Sequence, residues 1–386
     1  MKVLFISAWY PNRYDELYGV FVQRHAEAVS LHAQVEVLYV HPDSTIDSFE
    51  TVVRQHKNIK ETIIYFPAAT NNFLSKIKKQ INYLRAYILG WKLITSSGFR
   101  PQLIHANILT RTGFVAYCIK RLTKTPYIIT EHWSRYLPEH NQYHGFSRKL
   151  ITRIIVQNAS AILPVSNLLK QAMIDHKLLN KNYIVINNVI NPVFFETYSI
   201  QERLKKRIIL ITCFDEPIKN VKGILRVIHS LSKSRTDFEL EVIGNGTDYT
   251  DIYTMANNLN LTDRFVFFKG EKSSREVAES IYNSDFMILF SNFETAGIVI
   301  IENLVLGKPI ISTRVGIAPD FVDKKSGIII EVGDENALYN EMNYLLDNLA
   351  AYDNKYIRDK FKNRFSYDTI GNQISSIYKS ILSNSR

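Results

Sequence analysis

The chain has 386 residues, which is longer than a domain with a single hydrophobic core usually is and indicates two domains. Its 46% hydrophobic and 22% charged residues are typical of a globular protein. Its two cysteines, Cys118 and Cys213, exclude a disulfide scaffold and a cysteine-ligated metal site, and they favour a reducing compartment. The net charge is +10, but residues 1–190 carry 23 Lys and Arg against 11 Asp and Glu, which predicts an anionic partner for this half, either acidic lipid or nucleic acid.

The N-terminal segment Met1–Tyr10 contains an apolar run that is too short for a signal peptide. No later stretch offers the roughly 18 uncharged apolar residues that a membrane-spanning helix needs. We therefore expect a cytoplasmic chain that does not cross a membrane.

In the first half, short runs rich in Val, Ile, Phe and Tyr alternate with longer segments of helical period. The predicted strands are Val3–Ser7, Val35–Val40, Thr62–Phe66, Leu103–Ala106, Tyr127–Thr130, Ala161–Val165 and Tyr183–Ile186. The predicted helices are Phe21–Leu31, Leu74–Thr95, Gly113–Leu122, Arg148–Asn158 and Leu168–His176. Continuous apolar strands that are separated by crossover helices indicate a parallel sheet covered on both faces.

The same pattern starts again after a predicted hinge at Asn187–Pro192. The predicted strands are Ile208–Thr212, Leu240–Ile243, Phe265–Phe268, Phe286–Phe290 and Pro309–Thr313. The predicted helices are Gly223–Leu231, Asp251–Asn258, Ser274–Asn283 and Val299–Leu306. We therefore expect two α/β domains that face each other across a cleft, with ligands bound at the carboxyl ends of the strands.

The segment Ser291–Glu302 carries the most specific pattern in the chain. A strand ends at Phe290, a turn carries Glu294, and a helix begins near Gly297, so backbone N–H groups and the helix dipole favour a diphosphate over the strand end. Gly297 lets a ligand approach the backbone, and Glu302 can accept two hydrogen bonds from vicinal hydroxyls, as on a ribose. The alternative is that both carboxylates are solvated, but the apolar neighbours indicate a buried helix, in which a Glu needs a partner.

Glu294 and Glu302 are eight residues apart with a Gly-apolar step between them, which resembles the E-x7-E motif of retaining glycosyltransferases of family 4. Shorter motifs stand in the family's order over most of the chain: Pro101–His105, Thr130–His132, Pro164–Ser166, Ile243–Gly246, Asp263–Phe267, Gly307–Ile311 and the closing helix from Phe365. The resemblance implies a GT-B fold with two facing Rossmann-like domains. Residues 1–190, rejoined by the C-terminal helix 366–386, would form the acceptor side, and residues 191–365 would bind the nucleotide sugar.

The resemblance also implies roles for the residues of the motif. In the family, the first Glu contacts the donor sugar, amides of the following step hold sugar and phosphate, and the second Glu binds the ribose. In this sequence the matching residues are Glu294, then Gly297, Ile298 and Val299, and then Glu302.

A cationic pair, an Arg and then a Lys, normally neutralises the departing diphosphate in this family. Lys219 matches the Lys by its Lys-Asn context, whereas Cys213 stands at the position of the Arg. Either Lys222 replaces the missing Arg or Lys219 acts alone, unless both lysines simply begin an exposed helix. Gly244 is either a donor contact or part of a plain tight turn.

Two residues of the first half match donor-site positions of the family. Gly19 matches the loop glycine that approaches the donor diphosphate, although an ordinary glycine before a helix is the alternative. His132 follows a strand and matches a residue that contacts the donor sugar, which a neutral imidazole would do by hydrogen bonding; a structural His is the alternative. Arg111, Arg135 and Tyr136 are further candidates for the acceptor pocket.

The segment Leu74–Arg100 predicts an amphipathic helix with basic residues beside its apolar stripe: Leu74, Ile77, Ile81, Leu84 and Ile88. The stripe packs on the domain's own core, or the basic face lies against anionic lipid at the inner face of a membrane. We do not expect nucleic acid as a partner, because the chain has no recognised binding motif and its cations are scattered.

These patterns and the resemblance predict a metal-independent, retaining hexosyltransferase. It would move a sugar from a nucleoside diphosphate sugar to a glycan or lipid-linked acceptor, in cell-surface polysaccharide or glycolipid synthesis. No cofactor is expected besides the nucleotide sugar as co-substrate. Two alternatives stay open: a nucleotide-sugar epimerase on the same fold, and a non-catalytic sugar-nucleotide-binding subunit, which the missing Arg suggests.

Overall fold

A computed structural model describes residues 1–68, 73–140 and 142–384. The chain folds as two units. Unit 1 comprises Met1–Val165, Leu169–Val189 and Tyr367–Arg386, and unit 2 comprises Ser166–Leu168 and Ile190–Ser366. The last helix therefore belongs to unit 1, although the residues before it lie in unit 2.

Strands and helices alternate through the first half of the chain. Its strands are β1 (Lys2–Ser7), β2 (Gln34–Asp43), β3 (Glu50–His56), β4 (Ile59–Pro67), β5 (Leu103–Asn107), β6 (Tyr127–Glu131) and β7 (Ala161–Pro164). Its helices are α1 (Val20–Ser30), α2 (Phe73–Ser96), α3 (Phe114–Thr123), α4 (Phe146–Asn158) and α5 (Asn167–Asp175). Single π- or 3-10-helical turns lie at Leu109–Gly113 and Ser134–Tyr136.

The second half follows the same scheme. Its strands are β8 (Lys206–Ile211), β9 (Phe238–Ile243), β10 (Val266–Phe268), β11 (Phe286–Leu289), β12 (Ile310–Thr313) and β13 (Gly327–Ile330). Its helices are α6 (Glu216–Lys219), α7 (Val221–Leu231), α8 (Tyr249–Asn258), α9 (Ser274–Tyr282), α10 (Ile298–Val305), α11 (Ala318–Phe321), α12 (Glu335–Asn348), α13 (Asn354–Phe361) and α14 (Tyr367–Ser383).

The sheet of unit 1 has the strand order β3-β4-β2-β1-β5-β6-β7. All neighbouring strands are parallel except the edge pair β3 and β4, which is antiparallel. Side chains of β1 and β5 are buried on both faces, as expected for a parallel sheet between helices. Helix α14 contributes Ile370, Ile374 and Tyr378 to the core that β1, β2 and α1 share, so the C-terminal helix completes this unit.

The sheet of unit 2 has the order β10-β9-β8-β11-β12-β13, and all of its pairs are parallel. One buried cluster packs α7, α8 and α12 on one face, and a second packs α9, α10 and α13 on the other. The order reverses beside β8, since β9 lies on one side of it and β11 on the other. The loops that follow β8 and β11 thus leave the carboxyl edge of the sheet at its switch point, where α/β sheets bind ligands.

The predicted fold class is confirmed, but the predicted strands differ from the observed ones in three places: β3 and β13 were not predicted, and Tyr183–Ile186 was predicted as a strand. The edge strand β3 was missed because its side chains are almost all exposed and lack an apolar run. Tyr183–Ile186 is not a regular strand; only an isolated bridge joins Ile162 to Tyr183. The amide of Ile186 donates to the carbonyl of Pro164, but Pro164 has no N–H with which to continue the ladder.

Candidate active site

The loop between β11 and α10 carries Glu294 and is held on both sides by neighbouring segments. Asn292 donates its amide to the carbonyl of Ile218 at 2.7 Å and its side-chain nitrogen to the carbonyl of Pro217 at 3.0 Å. On the other side, the amide of Ile317 donates to the carbonyl of Ala296 at 3.0 Å. The position of Glu294 is thus determined by contacts with helix α6, which follows β8, and with the loop that follows β12.

Lys219 and Glu294 form a mostly buried ion pair. The ammonium of Lys219, at the end of α6, lies 2.5 Å from Oε1 of Glu294, and Ser291 donates its hydroxyl to the same oxygen at 3.0 Å. The side chains of Lys219 and Glu294 are only 17% and 13% exposed to solvent. Burial, the largest single cause, would lower the pKa of Lys219, but Glu294 together with Cys213 and Asp215 outweighs it and the pKa is raised. Lys219 is therefore a fixed positive charge at neutral pH.

Helix α10 begins beside this ion pair. Gly297 precedes it in the left-handed conformation, with a φ of 72°, and provides no side-chain cap. The first amides of a helix have no intrahelical acceptor, so the N–H groups of Ile298 and Val299 lie at the positive end of the helix dipole. An ammonium and a helix N-terminus together make this edge of unit 2 attractive to an anion.

Glu302 lies on the second turn of α10 and is 9% exposed, among buried apolar neighbours. The sequence prediction of a largely buried helix is therefore confirmed. Whether Glu302 binds a ribose stays a prediction.

Glu216, which the sequence analysis missed, organises the start of α7. Its carboxylate accepts hydrogen bonds from the amides of Val221 and Lys222, both at 2.9 Å. The carboxylate of Glu216 therefore already occupies the N-terminus of α7, where an anionic ligand would otherwise bind. Lys222 occupies this first turn with a half-buried side chain, whereas Cys213 is exposed in the loop after β8.

Gly244 is needed for the close approach of two loops. A Cβ atom at this position would lie 1.7 Å from the carbonyl oxygen of Thr212, in the loop after β8. The next residues stay in contact, since the amide of Phe214 donates to the carbonyl of Asn245 at 3.0 Å. This packing explains the glycine without a ligand, and the donor contact predicted for Gly244 stays a prediction.

In unit 1, Gly19 joins the loop after β1 to helix α1. Its φ is 68°, and a Cβ atom there would lie 2.4 Å from the carbonyl carbon of Trp9, so this position requires glycine. The loop consequently folds back on Trp9 at the carboxyl end of β1.

His132 follows β6 and is buried against Phe21 and His25, with ring centroids 4.7 and 5.6 Å away. Burial, and then the neighbouring imidazoles of His25 and His105, hold the pKa of His132 well below its ordinary value, so the ring is neutral at pH 7. Within the described ranges, its Nε2 is buried without a hydrogen-bond partner. A neutral imidazole with an unused nitrogen is suited to a hydroxyl ligand.

The buried Glu131 lies within the Thr130–His132 motif, although the sequence analysis gave it no role of its own, and it fixes the loop that carries His132. Its carboxylate accepts hydrogen bonds from the amides of Leu109, His132 and Trp133, at 2.8 to 2.9 Å. Burial raises its pKa although these bonds favour the anion. Arg135 lies next to this loop with its guanidinium carbon 3.2 Å from the centroid of the Trp133 ring.

Comparison with known proteins identifies the family. Residues 195–362 match the profile of glycosyl transferases group 1, and residues 20–194 match that of glycosyltransferase family 4. The chain belongs to glycosyltransferase family 4. An uncharacterized glycosyltransferase of Methanocaldococcus jannaschii is 26% identical over 386 residues, 99% of each chain.

Solved structures agree with this glycosyltransferase in fold. Sucrose-phosphate synthase from Thermosynechococcus elongatus superposes with a TM-score of 0.78 at 16% identity, covering 100% of both chains. An Anabaena protein in complex with UDP superposes with a TM-score of 0.74 at 16% identity, covering 98% of this chain and 100% of that one. The predicted GT-B fold is thereby confirmed.

Among the described helices of the glycosyltransferase, none has the length and apolar character of a membrane span. In the described ranges, His, Cys, Asp and Glu side chains do not gather in groups of three that would suit a metal ion. Metal independence stays a prediction.

Proposed function

We propose that the glycosyltransferase binds a nucleoside diphosphate sugar at the carboxyl edge of unit 2 and transfers its sugar to an acceptor hydroxyl. The ion pair of Lys219 with Glu294, beside the uncapped start of α10, carries this proposal. It offers a cation and two amides for a diphosphate and a carboxylate for sugar hydroxyls. The UDP complex of the Anabaena protein with the same fold supports a nucleotide as part of the donor.

Departure of the diphosphate is the step that these residues would assist. Negative charge builds up on the phosphate oxygens as the bond to the sugar breaks, and fixed positive groups stabilise that charge without rearranging. Lys219 would supply a full charge, and the amides of Ile298 and Val299 would supply hydrogen bonds and the helix dipole. Since Glu294 holds the ammonium of Lys219 in place, little side-chain reorganisation is needed.

We propose further that the reaction retains the anomeric configuration, with the acceptor attacking from the face that the diphosphate leaves. Glu294, the carboxylate that is proposed to contact the donor sugar, is already paired with Lys219, which disfavours it as a nucleophile. The configuration of the transferred sugar in the product, read by NMR, tests retention. A covalent sugar adduct on Glu294 would overturn the front-face route.

For the acceptor we propose a glycan or a lipid-linked molecule, within surface polysaccharide or glycolipid synthesis. Lys and Arg outnumber Asp and Glu by twelve in residues 1–190, which favours an acceptor presented at the anionic inner face of a membrane. We propose that two residues of unit 1 contact the donor: Gly19 its diphosphate and His132 its sugar.

Thermal-shift measurements with uridine, guanosine and adenosine diphosphate sugars test the donor site. At 100 times its dissociation constant, a bound donor stabilises the native state by about 2.7 kcal/mol. We expect one of the three series to raise Tm, and we expect Glu302→Ala to abolish that shift without loss of the fold.

The matched control is Glu341→Ala, which removes a half-buried glutamate from α12 of the same unit. It should retain the full shift. A full shift in Glu302→Ala would refute the role of Glu302, and no shift with any nucleotide sugar in the unmodified protein would refute the donor site.

A further inference from the structure

Unit 1 contains two adjoining cavities of different size. The smaller has a volume of about 130 Å³, and its lining includes Lys79 and Arg111 beside apolar residues such as Val40 and Phe66. The larger has a volume of about 440 Å³ and an apolar wall that includes Leu84, Phe114 and Ile151. Arg111 lines both, as do Gln80 and Tyr83, so the cavities meet at this arginine.

The smaller cavity lies at the carboxyl edge of the sheet. Its wall includes Ala8, which directly follows β1, Pro42 near the end of β2, and Phe66 near the end of β4. This is the edge at which parallel α/β sheets bind their ligands. The larger cavity continues outward between α2 and α4, because its lining comes from both helices.

Lys79 and Arg111, the two cations that line the smaller cavity, have no carboxylate partner among the described residues. Within the described residues, neither Lys79 nor Arg111 forms a salt bridge, and no Asp or Glu lines either cavity. His41, which also lines the smaller cavity, adds no charge at pH 7, because burial lowers its pKa. Two cations without a salt bridge in the lining of one cavity indicate an anionic ligand.

The helices around the larger cavity extend the same pattern. Neither α2 nor α4 contains an acidic residue, and together they carry eight lysines and arginines. Apolar side chains remain exposed on both helices: Ile81 is 46% exposed, Ile88 55% and Leu150 48%. In unit 2, by contrast, many lysines and arginines are paired with carboxylates, as in Arg207 with Glu239.

We propose that the acceptor is an amphiphile that carries a phosphate in addition to the accepting hydroxyl: a lipid-linked phosphate whose anion lies between Lys79 and Arg111 and whose apolar chain follows the larger cavity. This inference rests on the proposed glycosyltransferase reaction and deepens it by naming the acceptor class. A neutral glycan would leave the two cations unused, and a free anion would leave the apolar wall of Leu84, Phe114 and Ile151 without contact. An amphiphile satisfies both.

Isothermal titration with farnesyl phosphate, below the concentration at which it forms micelles, tests this inference on the full chain. Farnesol, which lacks the phosphate, and inorganic phosphate, which lacks the chain, are the two comparison ligands. We expect farnesyl phosphate to bind at least tenfold more tightly than either. Equal affinity for inorganic phosphate would indicate a simple anion site, equal affinity for farnesol a simple apolar groove, and either result would overturn the proposal.

Two variants separate the parts of the site. Lys79→Ala with Arg111→Ala should raise the Kd for farnesyl phosphate at least tenfold, and Leu84→Asn should raise it at least threefold. The matched control, Arg121→Ala with Lys181→Ala, removes two exposed cations of unit 1 that line neither cavity, and it should leave Kd within twofold.

An unchanged Kd in the first double variant, or an equal rise in the control, would overturn the proposal. The thermal shift with nucleotide sugar is measured on the same samples. It should persist in every variant, because the substitutions lie in unit 1. Its absence from the unmodified protein would count against the donor site, whereas its persistence without lipid phosphate binding would count against this inference alone.

Discussion

Replacing Glu294 by Gln should separate nucleotide binding from turnover. In the structure Glu294 holds the ammonium of Lys219 at 2.5 Å, so a diphosphate that binds there must share this cation with a carboxylate. Gln keeps the size of the side chain and removes its charge. We therefore expect the variant to bind nucleoside diphosphate more tightly while it transfers sugar more slowly.

The magnitudes follow from the surroundings of the pair. Removing a like charge from beside the phosphates should contribute about 1 kcal/mol, roughly a fivefold decrease in Kd. Removing the cation with Lys219→Met should weaken binding by about 1.5 to 3 kcal/mol, the usual value of a hydrogen bond to a charged group. Loss of the carboxylate that is proposed to contact the donor sugar should lower kcat on the order of 100-fold.

Titration calorimetry with the nucleoside diphosphate of the preferred donor gives both Kd values, and initial rates at saturating donor give kcat. Ser291→Ala serves as a control, because it removes only a hydrogen bond from an uncharged hydroxyl to Glu294, leaves both charges in place, and should change Kd less than threefold. Weaker nucleotide binding in Glu294→Gln, or unchanged binding in Lys219→Met, would show that the ion pair does not lie at the phosphates.

Two further predictions concern stability. Burial lowers the pKa of His25 from 6.5 to about 4, so the unfolded state binds more protons than the native state between these pH values. The unfolding free energy should therefore fall by up to about 3 kcal/mol as the pH drops from 6.5 to 4. Urea denaturation at several pH values should show a shallower pH dependence in His25→Gln, and an identical dependence would contradict the assignment. Gly371→Ala should lower the free energy of unfolding by about 1–3 kcal/mol, because the new Cβ atom would lie 2.1 Å from the carbonyl oxygen of Ala28 on α1. The control Ser376→Ala, on the exposed side of α14, should leave the free energy of unfolding nearly unchanged. Equal stability of the two variants by urea denaturation would show that α14 does not pack as described.

Most of the fold was predictable because parallel strands buried on both faces appear in the sequence as short apolar runs. The same signal fails where the strand is not buried. The edge strand β3 has exposed side chains, so its pairing with β4 is not recorded in hydrophobicity. Hydrophobicity also misleads at Tyr183–Ile186, an apolar run that does not pair continuously with a neighbouring strand. The ladder between this run and β7 is interrupted because Pro164 has no N–H to donate.

In the candidate site, the side chains that the motif names were predictable, but those that hold it together were not. Glu294 and Glu302 are found by their spacing, and Lys219 by its neighbours in sequence. Glu131 stands within the Thr130–His132 motif, but its structural role cannot be inferred from the sequence, because its partners are backbone amides that any residue type supplies. One of them, the amide of Leu109, lies 22 residues away and approaches only when β5 and β6 pair.

Cys213 stands where the family has an Arg, so the positive charge of that Arg has to be supplied elsewhere. Lys222 is a poor substitute for it, because the helix that carries Lys222 already has the carboxylate of Glu216 at its N-terminus, which cancels much of the positive potential there. Cys213 is exposed and brings no positive charge. The stabilisation of a departing diphosphate would then depend on Lys219 and the start of α10. A lone cation in this role must be charged and correctly placed before the donor arrives, and the buried pairing with Glu294 meets both requirements.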